Sequence, residues 1–156
     1  MMVQLRTASP ADAEAMLAVA RSLPQWFTEG GVQEMARDFP IHQGVVAVDQ
    51  EGRVVGFVTF APSPHTPQEG LVEMTWLGVS PEYRRHGVGR LLVAALESEC
   101  RQAGADVVQV STLADTVEYE PYAETRAFYR RLGFSDWRVD PGFYDGDDRL
   151  LLRKAL

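Results

Sequence analysis

Apolar positions along the chain switch between two periods, and the switches divide it into strand-like and helix-like stretches. The opening run "VQLRTAS" alternates as a short strand does. The next stretch, "SPADAEAMLAVARSL", sets apolar residues at helical spacing behind Ser9 as N-cap and Pro10 at the first helical position. "GVQEMARDF" reads as a second short helix. "GVVAVDQEGRVVGFVTFAP" holds two β-rich runs around Gln50, Glu51 and Gly52, a hairpin signal, and the proline-containing loop "PSPHTPQEG" follows. "LVEMTWLGVS" is apolar on nearly both faces, as a central strand is. Val88, Leu91, Leu92, Ala95 and Leu96 make one helical stripe, which Gly104 stops. "DVVQVSTL" is another buried strand, followed by a polar loop, the helix "AETRAFYRRLG" and closing strands near "FSDWRV" and "DRLLLRK". The order β-α-α-β-β-β-α-β-α-β-β predicts a mixed α/β sheet with an antiparallel front half and one strand-helix-strand crossover in the middle.

Composition narrows what such a sheet is for. A chain of 156 residues fits one domain, residues 1–156, with a proper core. A net charge of −7 argues against a nucleic-acid partner or an anionic membrane surface, because both want a basic face. Cys100 is the single cysteine, which excludes a disulfide framework. No apolar run approaches membrane-spanning length, and the first residues lack the basic-then-apolar layout of a secretory signal, so a cytoplasmic protein is expected. His42, His65 and His86 show no metal-ligand spacing, and no metal is expected.

One local concentration of positive charge stands out against this acidic background. In "YRRHGVGRLLVAALE" a turn with two glycines runs straight into the apolar helix stripe. The first amides of a helix have no intrahelical partner, and the helix dipole adds partial positive charge there, so such a turn suits an anion such as phosphate. Gly87 and Gly89 leave the backbone bare for close approach, and Arg84, Arg85, His86 and Arg90 add charge on the rim. The pattern has neither the lysine-serine/threonine ending of a nucleotide P-loop nor the three-glycine spacing of a dinucleotide fold. Taken alone, a tight turn with solvated arginines fits these residues equally well.

The stretch "VSPEYRRHGVGRLLVAALE" resembles the central acetyl-CoA motif of the GNAT superfamily of N-acetyltransferases, Arg/Gln-x-x-Gly-x-Gly/Ala, at Arg84, Gly87 and Gly89. "ETRAFYRRLGF" resembles the family's second motif, a helix bearing a tyrosine and ending in Gly-Phe. Two motifs in the right order are far more specific than either alone. The resemblance covers essentially the whole chain and implies a mixed, mostly antiparallel sheet flanked by helices, with a splayed central strand pair. It implies acetyl-CoA as cosubstrate, its pyrophosphate on the amides of Arg84, Arg85, His86, Gly87, Val88, Gly89 and Arg90. Backbone groups of Leu77, Gly78 and Val79 would hold the pantetheine arm and polarise the thioester, and Gly78 is compatible with a bulge there. The implied reaction is direct attack by an amine, with no covalent enzyme intermediate, so Cys100 is expected only to pack. Dimers are common in the family.

Aminolysis asks for removal of a proton from the amine, stabilisation of the oxyanion and help for the departing thiolate. Tyr129 occupies the family's general-acid position, and its alternative is a core aromatic. Glu73 stands in the otherwise apolar strand where some members keep a general base; the alternative is a glutamate at an exposed strand end. The chain departs from common family patterns at Gln109 and Tyr122, where some members have Glu and Asn, which leaves a water-relayed base open. For the amine acceptor, Trp26, Phe27, Tyr119, Glu120 and Tyr122 are the candidate contacts, since aromatics with acids suit a cation; Trp26 and Phe27 serve equally as core plugs. The expected activity is acetyl transfer to a small-molecule or peptide amine, and its alternative is a non-catalytic acyl-CoA-binding regulatory module.

Overall fold

In the computed structural model, which describes residues 2–63 and 68–156, the apolar periods become seven strands and four α-helices in the expected order. His65 and the centre of the proline loop lie outside the described residues. The elements are β1 (Gln4–Thr7), α1 (Ala13–Arg21), α2 (Glu29–Asp38), β2 (Gln43–Val48), β3 (Val54–Pro62), β4 (Leu71–Val79), α3 (Val88–Gln102), β5 (Val107–Leu113), α4 (Glu120–Arg131), β6 (Ser135–Tyr144) and β7 (Asp147–Ala155). Among the described residues no helix is long and apolar enough to cross a membrane.

The strands form one sheet in the order β1-β2-β3-β4-β5-β7-β6. Every neighbouring pair is antiparallel except β4 and β5, which α3 joins as the crossover that parallel strands require. Alternation along the strands divides the core into two layers. Val58, Phe60, Met74, Val108, Val110, Leu150 and Leu152 face α3 and α4, where they meet Leu92, Leu96 and Tyr129. Val46 and Phe57 face α1 and α2, where they meet Met16, Leu17 and Met35. Burying side chains of this size stabilises by about 1.5–3 kcal/mol each, which holds the helices on the sheet.

Helix ends differ from the sequence reading where local side chains compete. Ser9 caps a single 3-10 turn, Pro10–Asp12, and α1 starts after it, because the Asp12 carboxylate accepts from the Ser9 amide at 2.8 Å and also takes a fork from Arg6. Thr28 caps α2 by accepting from the Gly31 amide at 3.1 Å, so that helix begins two residues before the predicted stretch. The last helix begins three residues early, with Pro121 in its first turn. The closing hairpin is longer than predicted, turning on Asp145 (φ 52°) and Gly146 (φ 102°) with Tyr144 paired to Asp147.

Two features of β4 shape the centre. Its register against β3 slips between Thr59 and Phe60, where Trp76 and Met74 are the partners, so Thr75 is an extra residue that bends the strand. Its parallel pairing with β5 covers only Leu71, Val72 and Glu73, and the two strands then part. The bulge therefore sits at Thr75 and not at Gly78. Gly78 has another reason: a Cβ there would stand 2.9 Å from the Phe57 ring, which is fully buried and packed edge-on against Phe39. Gly78→Ala is expected to lower unfolding stability in urea by about 1–3 kcal/mol, the cost of overpacking a filled core, and an unchanged midpoint would show that Phe57 yields freely.

Candidate active site

The strand that leaves β5 runs into the basic loop. After β4, Pro81–Tyr83 make one 3-10 turn, and the backbone enters the left-handed region at Arg85 (φ 66°) and again at Gly87 (φ 78°), the N-cap of α3. Among the described residues none of the six amides from Arg85 to Arg90 donates to a protein acceptor. A row of free amides at the positive end of a fifteen-residue helix, in a concave loop, is the geometry that anions seek. Arg85 in the left-handed region is a strained position for a side-chain-bearing residue, as ligand-binding loops often hold.

The two glycines have different reasons. A Cβ at Gly87 would find its nearest neighbour, Arg90 Nη2, at 3.6 Å; what the site requires is the positive φ. A Cβ at Gly89 would meet the Phe128 ring at 3.2 Å, so this glycine lets α3 approach α4. Between these helices and the splayed end of β4 lies a cleft of about 840 Å³. Leu77, Gly78, Val79, Arg84, Arg85, Gly87, Val88, Gly89 and Arg90 all line it, whereas His86 does not.

Tyr129 lines the same cleft from α4. Arg126, one turn earlier, fixes that helix on the end of β5 by donating to the carbonyls of Leu113 (2.7 Å) and Ala114 (3.2 Å) while pairing with Asp115. Burial pushes the Tyr129 phenol far up from its ordinary value, with the neighbouring phenols of Tyr122 and Tyr144 adding to the shift, so it is fully protonated at neutral pH. Its ring packs on Phe128 and Phe134, which makes it a core aromatic and a cleft residue at once.

Glu73 lies outside the cleft lining, at the vertex where β4 and β5 part. It is 7% exposed, which removes the reading as a glutamate at an exposed strand end. Its Oε1 accepts from the Gln109 amide and the Ser111 hydroxyl of β5, both at 3.2 Å. Tyr144, from the end of β6, is close enough to feel the Glu73 charge and to share the Ser111 hydroxyl, and burial is the main cause that pushes its phenol up to about 12. Tyr144 and Ser111 escaped the sequence reading. The Asp145-Gly146 pair was the available signal, because a two-residue hairpin loop fixes where Tyr144 stands.

The candidate acceptor residues divide as well. Trp26, Phe27, Glu120 and Tyr122 line the cleft, and Tyr119 does not. Tyr119 donates to the Gln25 carbonyl at 2.7 Å, Tyr122 to the Trp26 carbonyl at 2.6 Å, and Trp26 Nε1 to the Pro121 carbonyl at 2.9 Å. These bonds lash the α1–α2 connection to the first turn of α4. Arg84 joins the strap: its guanidinium lies 4.4 Å over the Trp26 ring and 3.4 Å from Glu124. Cys100 is buried in the α3 core layer and desolvation lifts its thiol to about 11, which suits packing and not nucleophilic attack. Among the described residues no group of three or more His, Cys, Asp or Glu side chains could hold a metal ion.

Known proteins share this fold. The model of the acetyltransferase (GNAT) family matches residues 13–134. A mycothiol acetyltransferase from Arthrobacter sp. (strain FB24) is 31% identical over 148 residues, which cover 88% of this chain and 44% of that protein. The chain thus spans less than half the length of this relative. The crystal structure of a GNAT-family protein from Desulfovibrio desulfuricans superposes with a TM-score of 0.87 at 27% identity, covering 99% of each chain. A Salmonella typhimurium structure holding its cofactor acetyl-CoA shares the fold, with a TM-score of 0.70 at 20% identity over 100% of this chain and 95% of the other. By the extent of the family match, which takes in the splayed strand, the amide-rich loop and the tyrosine helix together, the chain belongs to the GNAT family of acetyltransferases.

Proposed function

We propose that this chain transfers an acetyl group from acetyl-CoA to a primary amine by direct attack of the amine on the thioester. The observation that carries the reading is the continuity of the six free amides at Arg85–Arg90 with the cleft that ends at the splayed strands. The residues fit the cosubstrate: the loop offers donors to a pyrophosphate, Arg85 and Arg90 offer charge, and the apolar walls at Leu77, Val79 and Phe128 suit an alkyl amide arm. Bound acetyl-CoA supplies an activated acyl group with a thiolate as leaving group.

The chain's own residues would then do three things. From Met74 onward the side of β4 that faces β5 is released from the parallel ladder, so backbone N–H groups there are available to a carbonyl oxygen as its charge grows. Tyr129 keeps its proton at neutral pH and donates a hydrogen bond to the departing sulfur. A thiolate of ordinary basicity, with a pKa of about 8.5, does not strip a phenol held so high, so the donated hydrogen bond is the larger part of its help. Glu73 accepts the amine proton from the opposite face of the sheet, either directly or through one water. Trp26, Phe27, Glu120 and Tyr122 border the route by which the amine arrives.

The loop is tested by Gly87→Val. A β-branched residue at φ 78° forces the turn to rearrange while meeting no packed neighbour. Calorimetry should show affinity for CoA reduced at least about tenfold, with cooperative unfolding retained; unchanged affinity would remove the phosphate role of the loop.

The chemistry is tested with an amine panel assayed for CoA thiol release, followed by two variants on the best acceptor. Tyr129→Phe should lower kcat by about 10²-fold or somewhat less, with little change in acetyl-CoA affinity. Glu73→Gln should abolish the acid limb of the kcat/KM–pH profile, so that residual activity climbs with pH as free amine accumulates. Full turnover in Tyr129→Phe makes that tyrosine a packing residue, and an intact acid limb in Glu73→Gln places the base elsewhere.

A further inference from the structure

One cation inside the cleft belongs to the chain itself. Arg84 stands immediately before the loop of free amides, yet its guanidinium reaches the other walls of the cleft. It lies 4.4 Å from the centroid of the Trp26 ring and 3.4 Å from Glu124 Oε2, and all three residues line the same cleft. Arg85 and Arg90 line it too, and among the described residues neither pairs with an acid.

The place where the guanidinium rests is built independently of Arg84. Trp26 Nε1 donates to the Pro121 carbonyl at 2.9 Å, and the Tyr122 hydroxyl donates to the Trp26 carbonyl at 2.6 Å. Ring edge and backbone are thus both pinned to the first turn of α4, and the indole presents a fixed face. Glu124 follows one turn along the same helix, with Glu120 four residues before it on the same side, and both line the cleft. An aromatic face beside a carboxylate is a site for an alkylammonium or a guanidinium, and Arg84 shows that a guanidinium fits.

The hold on Arg84 is weak. Its side chain is 39% exposed and that of Glu124 is 44% exposed, and an ion pair so open to water contributes little. A phosphate offers a guanidinium shorter, charge-assisted and paired hydrogen bonds. A pyrophosphate on the amides that start at Arg85 is one residue away along the chain from this arginine, whose long stem lets it turn back. Once Arg84 turns, the indole face and the Glu124 carboxylate are left without a cation.

We infer that Trp26 and Glu124 form a seat for a second cationic group on the acceptor, that Arg84 fills this seat in the free chain, and that a CoA phosphate draws Arg84 off it. The seat serves a second group because the reacting nitrogen must be uncharged when it attacks, so a site for a lasting cation lies elsewhere on the acceptor. The inference rests on the proposed binding of the cosubstrate at the loop. CoA and a cationic acceptor then bind with positive coupling, each favouring the other by the same factor.

The experiment is calorimetry on the whole protein with CoA and 4-aminobutylguanidine, a primary amine that carries a guanidinium. Its control is 4-aminobutylurea, which has nearly the same shape and no charge at the far end. On CoA-saturated protein the guanidine should bind about tenfold tighter than the urea, and Glu124→Gln should remove most of that preference. Saturating CoA should tighten the guanidine about tenfold over the free protein, and Arg84→Met should abolish this coupling, because its seat is open from the start. Glu124→Gln should itself raise CoA affinity about two- to fivefold by releasing Arg84, and the gain should vanish in Arg84→Met. A gain that persists undiminished in Arg84→Met comes from the lost negative charge alone and overturns the hand-over. Equal binding of the two probes, or no binding of the guanidine, overturns the seat. Neither probe needs to react, so these results stand apart from turnover. CoA that fails to bind is a different outcome, which removes the proposed reaction and the hand-over together.

Discussion

Strand β4 parts from β5 after Glu73, because the extra residue at Thr75 bends it while β5 stays locked to β7 as far as Leu113. Most of the site's geometry depends on this parting. It releases backbone groups of β4 beside Leu77–Val79, and it opens the floor of the cleft against α4. It also leaves Glu73 at the vertex, buried yet with one oxygen uncommitted to any described donor. In the proposed reaction the donor side and the acceptor side would meet at this gap in the ladder. Tyr129 stands on the helix face and Glu73 on the other, so the two groups need not compete for one space.

The strap across the cleft gives the loop arginine a second meaning. Arg84 was read as a phosphate ligand, and in the fold its guanidinium rests on Trp26 and pairs with Glu124. An exposed ion pair of this kind contributes little to stability, so its release toward an anion costs little. Tyr119 and Tyr122, read as acceptor contacts, spend their hydroxyls on the backbone of Gln25 and Trp26. They hold the α1–α2 connection in place, and Trp26 and Phe27 line the cleft, where the proposed acceptor route would pass.

The sequence displayed most of the fold because period and punctuation agree along it: Gly104 and Gly133 stop helices where the apolar spacing does. Cross-strand facts were hidden, since no local pattern reports which residue of a neighbouring strand stands opposite. Gly78 was legible as special, but its reason, the Phe57 ring, belongs to β3. Gly87 and Gly89 looked equivalent in the motif and differ in space, one by its φ and the other by Phe128 on α4. Glu73 and Tyr129 were readable through the family pattern. Ser111 and Tyr144 were not, because their relation to Glu73 exists only once β5, β7 and β6 are laid side by side.

Amide hydrogen exchange of the whole protein, with and without acetyl-CoA, tests the central claim most directly, because it reads both ends of the proposed path at residue level. The account predicts added protection at Leu77–Val79 on the splayed strand together with Arg85–Arg90 at the start of α3. The β1–β2 edge should exchange as before. Protection gained at the loop but absent from Leu77–Val79 would contradict it, since the thioester would then not lie in the gap between β4 and β5.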